Sequence, residues 1–327
     1  MFFYFKKLRV HGVENVPKDK PVLFLANHQN ALLDALLIAG KCGRFAYFLT
    51  RAAVFKKSFI SKILKSLQML PVYRVRDGWS TITNNIAIFE TCSELLFNKE
   101  AVVIFPEGSH NLVRRVRPLS KGFTRIVFDT LEKYPNLDLQ LVPVGLNFIE
   151  ATSCPDSTAI FFGKPINAND FLKEKRAEGV VQLKQEVHSK IAQLTTHIPE
   201  NNYDAILRQL LEKKVDLLSP KQTNECIRTS FKECKSKPSA SINGLRIFLK
   251  YTLILNLFIP YSIWKFFVKP KIKEPEFIST FRFSLALTLV PLYLIIISTI
   301  LIVFFGVFTG LIYLIGSIFL ALVTVKA

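Results

Sequence analysis

The stretch "FLANHQNALLD", Phe24 to Asp34, decides how this chain is read. It closes the apolar run "VLFLA" (22–26) and opens a segment with helical spacing (30–40). A short apolar run without polar alternation reads as a strand covered on both faces. Strands that pass directly into helices are the units of layered α/β domains. At the junction stands His28, with Asp34 six positions on, inside the helix. On an ideal helix six positions lie roughly 120° apart around the axis. The two side chains therefore meet only if His28 sits ahead of the first turn and folds back over it. Asp34 would then accept a hydrogen bond from one ring nitrogen, leaving the other to take a proton from a hydroxyl. By itself the pair equally describes a loop histidine beside a surface aspartate.

The alternation continues outward. Further strand candidates are "RFAYFLT" (44–50), "QMLPVYR" (68–74), "AVVIF" (101–105), "LQLVPVGLNF" (139–148) and "TAIFFG" (158–163). Helical patterns fall between them at 58–67, 80–97 and 120–132, and follow at 178–198 and 202–218. The expected fold is α/β, a layered domain with a mostly parallel or mixed sheet over about 1–200. A helical extension and a polar linker, 201–244, would follow.

From Phe283 to Val325 no side chain is charged. That is about twice the ~20 residues that cross a bilayer as a helix. Gly306 and Gly310 fall at its middle, so 283–325 reads as a transmembrane hairpin with helices near 283–305 and 308–325. Arg282 and Lys326 bracket it, which puts both ends on the cytosolic side. Residues 245–270 hold a shorter uncharged run, Tyr251 to Trp264, interrupted by Pro260. They read as an interfacial or re-entrant segment bent at that proline.

Lys and Arg together number 43 against 25 Asp and Glu, a net charge of +18. With half the residues apolar, such charge suits an anionic membrane face. No groove-reading or base-stacking motif supports nucleic acid as a partner. The five cysteines show neither C-x-x-C pairs nor zinc spacing, so they read as free thiols in a reducing compartment and no metal is expected. The N-terminus "MFFYFKKLRVHG" is too short in apolar residues for a signal core, which keeps the first domain in the cytosol.

Two further groupings carry chemistry. "VVIFPEGSHN" places Glu107, Gly108 and Ser109 in a tight turn at the end of a buried strand, where open α/β sheets keep their crevices. Arg74, Arg114, Arg115, Arg117 and Lys121 form a basic set, which beside a carboxylate and an imidazole favours a phosphate-bearing substrate. At least two of these five are expected on a solvated face. Ser109 with His110 or His28 leaves a serine hydrolase open, although no G-x-S-x-G elbow is present.

The blocks "NHQNALLD", "LPVYR", "FPEGS" and "LVPVGL" occur in this order over about residues 8–170. The pattern resembles the four sequence blocks of the phospholipid/glycerol acyltransferase family, which includes glycerol-3-phosphate and 1-acylglycerol-3-phosphate acyltransferases. The resemblance implies His28 as general base, Asp34 as its orienting partner and Arg74 as a phosphate ligand. It also implies substrate contacts at Asn27, Glu107, Gly108, Ser109 and Lys121, and Pro143 at the acyl-donor site. The common first block has four residues between His and Asp; here Gln29 to Leu33 make five. That resembles a subgroup that includes fungal glycerol-3-phosphate acyltransferases and bacterial relatives with a hydrophobic tail.

The expected function is membrane-bound O-acyl transfer from a thioester to a hydroxyl of glycerol phosphate or lysophosphatidate. No cofactor is expected beyond the co-substrate, acyl-CoA or an acyl carrier protein. Membrane lipids are the other expected partners. The catalytic domain would face the cytosol at a bacterial inner membrane or the endoplasmic reticulum. A non-catalytic lipid-binding protein that keeps the fold stands as the alternative outside enzymes.

Overall fold

The computed structural model describes residues 1–73, 83, 85–172, 175–236 and 244–327. Among these residues eight strands form one sheet: β1 (Phe5–His11), β2 (Val22–Ala26), β3 (Ala46–Arg51), β4 (Met69–Val72), β5 (Ala101–Ile104), β6 (Gln140–Phe148), β7 (Asp156–Phe162) and β8 (Ile166–Asn167). Their order is β1-β7-β6-β2-β5-β3-β4, with β8 on β6. β6, β2, β5, β3 and β4 run parallel, whereas β7 and β8 are antiparallel to β6, so the sheet is mixed. β2, β5 and β6 are buried along their whole length, as their unbroken apolar runs require.

Two cores flank the sheet. On one face Phe24, Val103 and Val142 pack with Leu33 and Leu37 of α1 (Ala31–Ala39). Phe55, Leu64 of α2 (Ser58–Ser66) and Phe283 rest on the same cluster. On the other face Leu23, Leu25 and Val102 meet α3 (Asn85–Phe97), α4 (Gly122–Lys133) and α5 (Arg176–Leu194). α6 (Tyr203–Glu212) and α7 (Pro220–Arg228) close a third, smaller core around Ile198, Leu210 and Cys226.

Three expectations change. β1, "FKKLRVH", adds a strand outside the expected set; its charges sit at the open edge of the sheet, where they are stable and discourage pairing with another chain. The stretch after Ser219 begins with a helix, because Pro220 occupies the first turn and Thr223 and Cys226 turn inward at helical spacing. The cysteines are not all free: Cys226 and Cys234 form a disulfide, their Cα atoms 4.7 Å apart across the turn after α7. Cys42, Cys92 and Cys154 are free thiols.

The C-terminal apolar stretch forms the antiparallel pair α10 (Ile278–Phe305) and α11 (Val307–Lys326). Both are long and apolar enough to cross a membrane. Gly306 joins them at φ +90°, a conformation glycine adopts without a Cβ penalty. At Gly310 a Cβ would lie 2.3 Å from Ile302 Cγ1, so a glycine is what lets the two helices approach.

α10 begins several residues before the uncharged run and uses them to hold the domain. Ser279 Oγ donates to Ala151 O at 2.5 Å, Tyr4 Oη donates to Ser279 O at 3.1 Å, and Arg282 donates to Thr152 O at 2.8 Å. Upstream, α8 (Gly244–Asn256) and the helical segment 258–271, which opens with α9 (Phe258–Ser262), meet at 95°. The bend falls at Leu257 rather than at Pro260. Pro260 stands in the first turn of the second helix, where its missing N–H has no intrahelical partner to lose.

Candidate active site

Parallel register brings the two acidic motifs together. Leu25 of β2 is level with Ile104 of β5. His28 comes two residues past the end of β2 and Glu107 three past the end of β5, side by side at the edge where all five parallel strands finish.

His28 lies before the first turn of α1, and Asp34 one turn inside it. Helical side chains lean toward the N-terminus, so the Asp34 carboxylate reaches back out of the helix. Its Oδ2 accepts from Gln29 N at 2.8 Å and Asn30 N at 2.7 Å, and it lies 2.8 Å from His28 Nδ1. Asp34 is fully buried, and the His28 side chain is 17% exposed. Nε2 makes no hydrogen bond among the described residues. The imidazole stacks on Phe105, ring centroids 4.0 Å apart. Within the five-residue gap Ala31 takes a left-handed φ of 40°. That conformation costs an L-residue roughly 1–2 kcal/mol, so the surrounding contacts hold the turn in place.

The second loop is tied to the first. Asn111 N donates to His28 O at 3.0 Å, and Gln29 Nε2 to Val113 O at 2.8 Å. Gly108, at φ +71°, makes the turn. Arg117 bridges it: Nε lies 2.6 Å from Glu107 Oε2 and Nη1 donates to Ser109 Oγ at 2.8 Å. Lys121 is exposed one residue beyond Ser120, whose amide donates to Pro106 O at 2.7 Å.

The Glu107 carboxyl is 2% exposed. Burial pushes its pKa up to about 7, against the opposing pull of Arg117 and of a bond from the His28 backbone. The folded chain therefore holds a proton that the unfolded chain releases, between the ordinary value of 4.5 and about 7. Folding stability from this group falls as pH rises through that window. Glu107→Gln should flatten the stability–pH curve between pH 5 and 8 by on the order of a few kcal/mol, measured by chemical denaturation in detergent at each pH.

Other site expectations are corrected. Asn27 is 3% exposed, and its amide is spent on β6: Nδ2 donates to Leu146 O at 3.0 Å and Oδ1 accepts from Leu146 N at 2.7 Å. It ties the end of β2 to β6. Pro143 is buried in mid-sheet opposite Leu25, against Gly163, and lies beneath the crevice rather than in its wall. Arg114 turns inward to Phe148 O at 2.6 Å and Ile149 O at 2.5 Å, and Arg115 pairs with Glu200 at 3.1 Å. Of the expected basic rim, Lys121 faces solvent, and Arg74 lies outside the described residues.

The sequence offers His110 only as a partner for Ser109. Its Nε2 instead lies 2.9 Å from Glu274 Oε2, and its ring 4.7 Å from that of Phe277, just ahead of α10. With Glu276 these groups put three ligand atoms within 4.8 Å of one another, the kind of cluster that can hold a metal ion. No local signal reveals it, since 164 positions separate His110 from Glu274. Phe105 is legible only as a neighbour of the "PEGS" turn, and Arg117, expected in the basic rim, instead holds Glu107 and Ser109.

Residues 7–147 match the family model described as Acyltransferase. A 1-acyl-sn-glycerol-3-phosphate acyltransferase of Brassica napus is 26% identical over 38% of this chain and 35% of its own length. Glycerol-3-phosphate O-acyltransferase 1 of Saccharomyces cerevisiae is 24% identical over 38% of this chain and 14% of its own. The crystal structure of the 1-acyl-sn-glycerophosphate acyltransferase PlsC of Thermotoga maritima aligns at a TM-score of 0.39 and 21% identity, covering 56% of this chain and 71% of that one. The family model and the two curated relatives support the phospholipid/glycerol acyltransferase family for residues 7–147. It spans less than half the length of the first curated relatives it matches.

Proposed function

We propose that the protein moves a fatty acyl group from an acyl thioester to a hydroxyl of glycerol 3-phosphate or lysophosphatidate, at the surface of the membrane that α10 and α11 cross. The observation that carries this reading is the 2.8 Å contact of His28 Nδ1 with the buried Asp34 carboxylate, at a strand exit beside Glu107 and Arg117. Asp34 holds the proton on Nδ1, which leaves the Nε2 lone pair for the acceptor alcohol. His28 Nε2 takes the hydroxyl proton as the oxygen attacks the thioester carbonyl. Collapse of the tetrahedral adduct breaks the C–S bond, and the proton passes from His28 to the leaving thiolate. General-base help of this kind is worth ~10²–10⁴ in rate. No acyl-enzyme forms, and no cofactor enters beyond the thioester.

The Gln29 and Asn30 amides are committed to Asp34 and do not serve the developing oxyanion. Lys121 and Arg74 are assigned to the acceptor phosphate. The net charge of +18 suits either coenzyme A phosphates or an acidic carrier protein as donor. The Arg282 and Lys326 brackets favour a domain on the cytosolic face, at a bacterial inner membrane or the endoplasmic reticulum. The 95° bend after α8 supports a re-entrant or interfacial reading of 245–270. Against a serine hydrolase, Ser109 Oγ is engaged by Arg117, and neither His28 nor His110 bonds to it among the described residues.

The test is purified protein with a radiolabelled acyl thioester and a panel of acceptors with and without the phosphate. Transfer to phosphorylated glycerol acceptors supports the reading. Activity on unphosphorylated acceptors alone overturns the phosphate assignment. Binding without turnover would leave a lipid-binding protein.

A further inference from the structure

We propose that α2 and the turn before it, residues 52–67, form a second membrane contact: an amphipathic segment lying flat in the headgroup layer of an anionic bilayer. The inference rests on reading α10 and α11 as membrane spans, and its test separates the two.

No residue of α2 is buried. Phe59 is 75% exposed, Leu67 56%, Val54 44%, Ile63 43% and Ile60 39%. So much bare apolar surface on a single short segment marks an interaction site rather than scattered surface residues. At about 100° per residue, Phe59, Ile63 and Ile60 fall within about 100° of arc. Leu64 follows at the inner end of that arc and packs on the core. Lys62 and Lys65 lie on the opposite flank. Between Arg51 and Leu67 there is no acidic residue, and Lys56, Lys57, Lys62 and Lys65 are all exposed. A bare apolar stripe flanked by lysines of one sign is the pattern of an interfacial helix on anionic lipid. The lysine stems reach along the apolar surface while the ammonium groups meet phosphates.

The placement favours a bilayer over a partner protein. Phe55 and Leu64 rest on the same face of the sheet as Phe283, where α10 enters the domain, and as Met1. Phe2 and Phe3 are also exposed on that side, with Lys326 Nζ 4.5 Å from the Phe2 ring centroid at the end of α11. The hairpin thus holds this face toward the membrane it crosses. α2 follows β3, whose end lies on the same sheet edge as His28. Contact at both α2 and the hairpin would fix the tilt of the domain, so that the crevice opens at headgroup depth.

The experiment uses the full chain in nanodiscs of phosphatidylcholine and phosphatidylglycerol, with Trp79→Phe and Trp264→Phe. Single tryptophans are then placed by Phe59→Trp on the apolar stripe, Ser58→Trp on the polar flank, and Ile295→Trp, exposed at the middle of the uncharged part of α10. The Phe59→Trp emission should be quenched at least twofold more than Ser58→Trp by lipids brominated near the headgroup. It should also be shielded from acrylamide, and the quenching should weaken when phosphatidylglycerol is omitted. If Phe59→Trp is as open to acrylamide as Ser58→Trp and untouched by brominated lipid, the proposal fails while the hairpin stands. Shielding from acrylamide without quenching by lipid assigns the face to protein and also overturns it. If Ile295→Trp escapes lipids brominated deep in the chain, the membrane reading fails, and this proposal with it.

Discussion

Replacing His28 by alanine should lower acyl transfer by ~10²–10⁴-fold, the range expected for loss of a general base. The protein should still fold. The ring is partly exposed, stacks on one neighbour and bonds one carboxylate, so its removal opens space at a crevice rather than in a core. A stability loss on the order of 1 kcal/mol is expected. Circular dichroism and denaturation in detergent would show a native-like variant that binds thioester and acceptor but does not join them. Full activity in His28→Ala would remove the base from the mechanism.

The second large effect is at Asp34, where fold and chemistry meet in one carboxylate. Asp34→Asn keeps the size of the group and one acceptor oxygen for the Gln29 and Asn30 amides. It removes the charge that holds the Nδ1 proton and steadies the imidazolium formed during transfer. Activity should fall on the order of 10²–10⁴-fold with little loss of stability. Asp34→Leu should do more. It strands two backbone donors and the imidazole N–H at a fully buried position, and each unsatisfied buried group costs about 1–3 kcal/mol. Asp34→Leu should therefore lose both activity and several kcal/mol of stability. If Asn and Leu lost the same activity and the same stability, Asp34 would be structural alone.

The parts of the site that were legible are those set by local geometry. His28 and Asp34 sit in one strand-to-helix junction, so their spacing already stated the condition under which they meet. Glu107 was legible because a proline and a glycine end a buried strand. The parts that were not legible depend on distant chain. Asn27 looks like a ligand beside His28, yet its partner is the Leu146 backbone on a neighbouring strand. Arg114 looks like rim charge, yet the carbonyls it satisfies belong to residues 148 and 149, where β6 ends. The hairpin was plain from its lack of charge. That α10 starts earlier and grips Ala151 and Thr152 was not, because Ser279 and Arg282 resemble ordinary flanking residues. Ala151 O also accepts from Asn30 Nδ2 at 3.0 Å, which links the turn after His28 to the first turn of α10 through one carbonyl.

The central claim is that Asp34 acts on the substrate only through the imidazole of His28. A double-mutant cycle of His28→Ala and Asp34→Asn, read as kcat/KM for acyl transfer in nanodiscs, tests it most directly. The account predicts strong non-additivity: once His28 is absent, removing the Asp34 charge should change the residual rate by less than about threefold, since coupled residues acting as a unit do not multiply. Two losses that multiply in full would mean that the carboxylate and the imidazole work independently, and would contradict it.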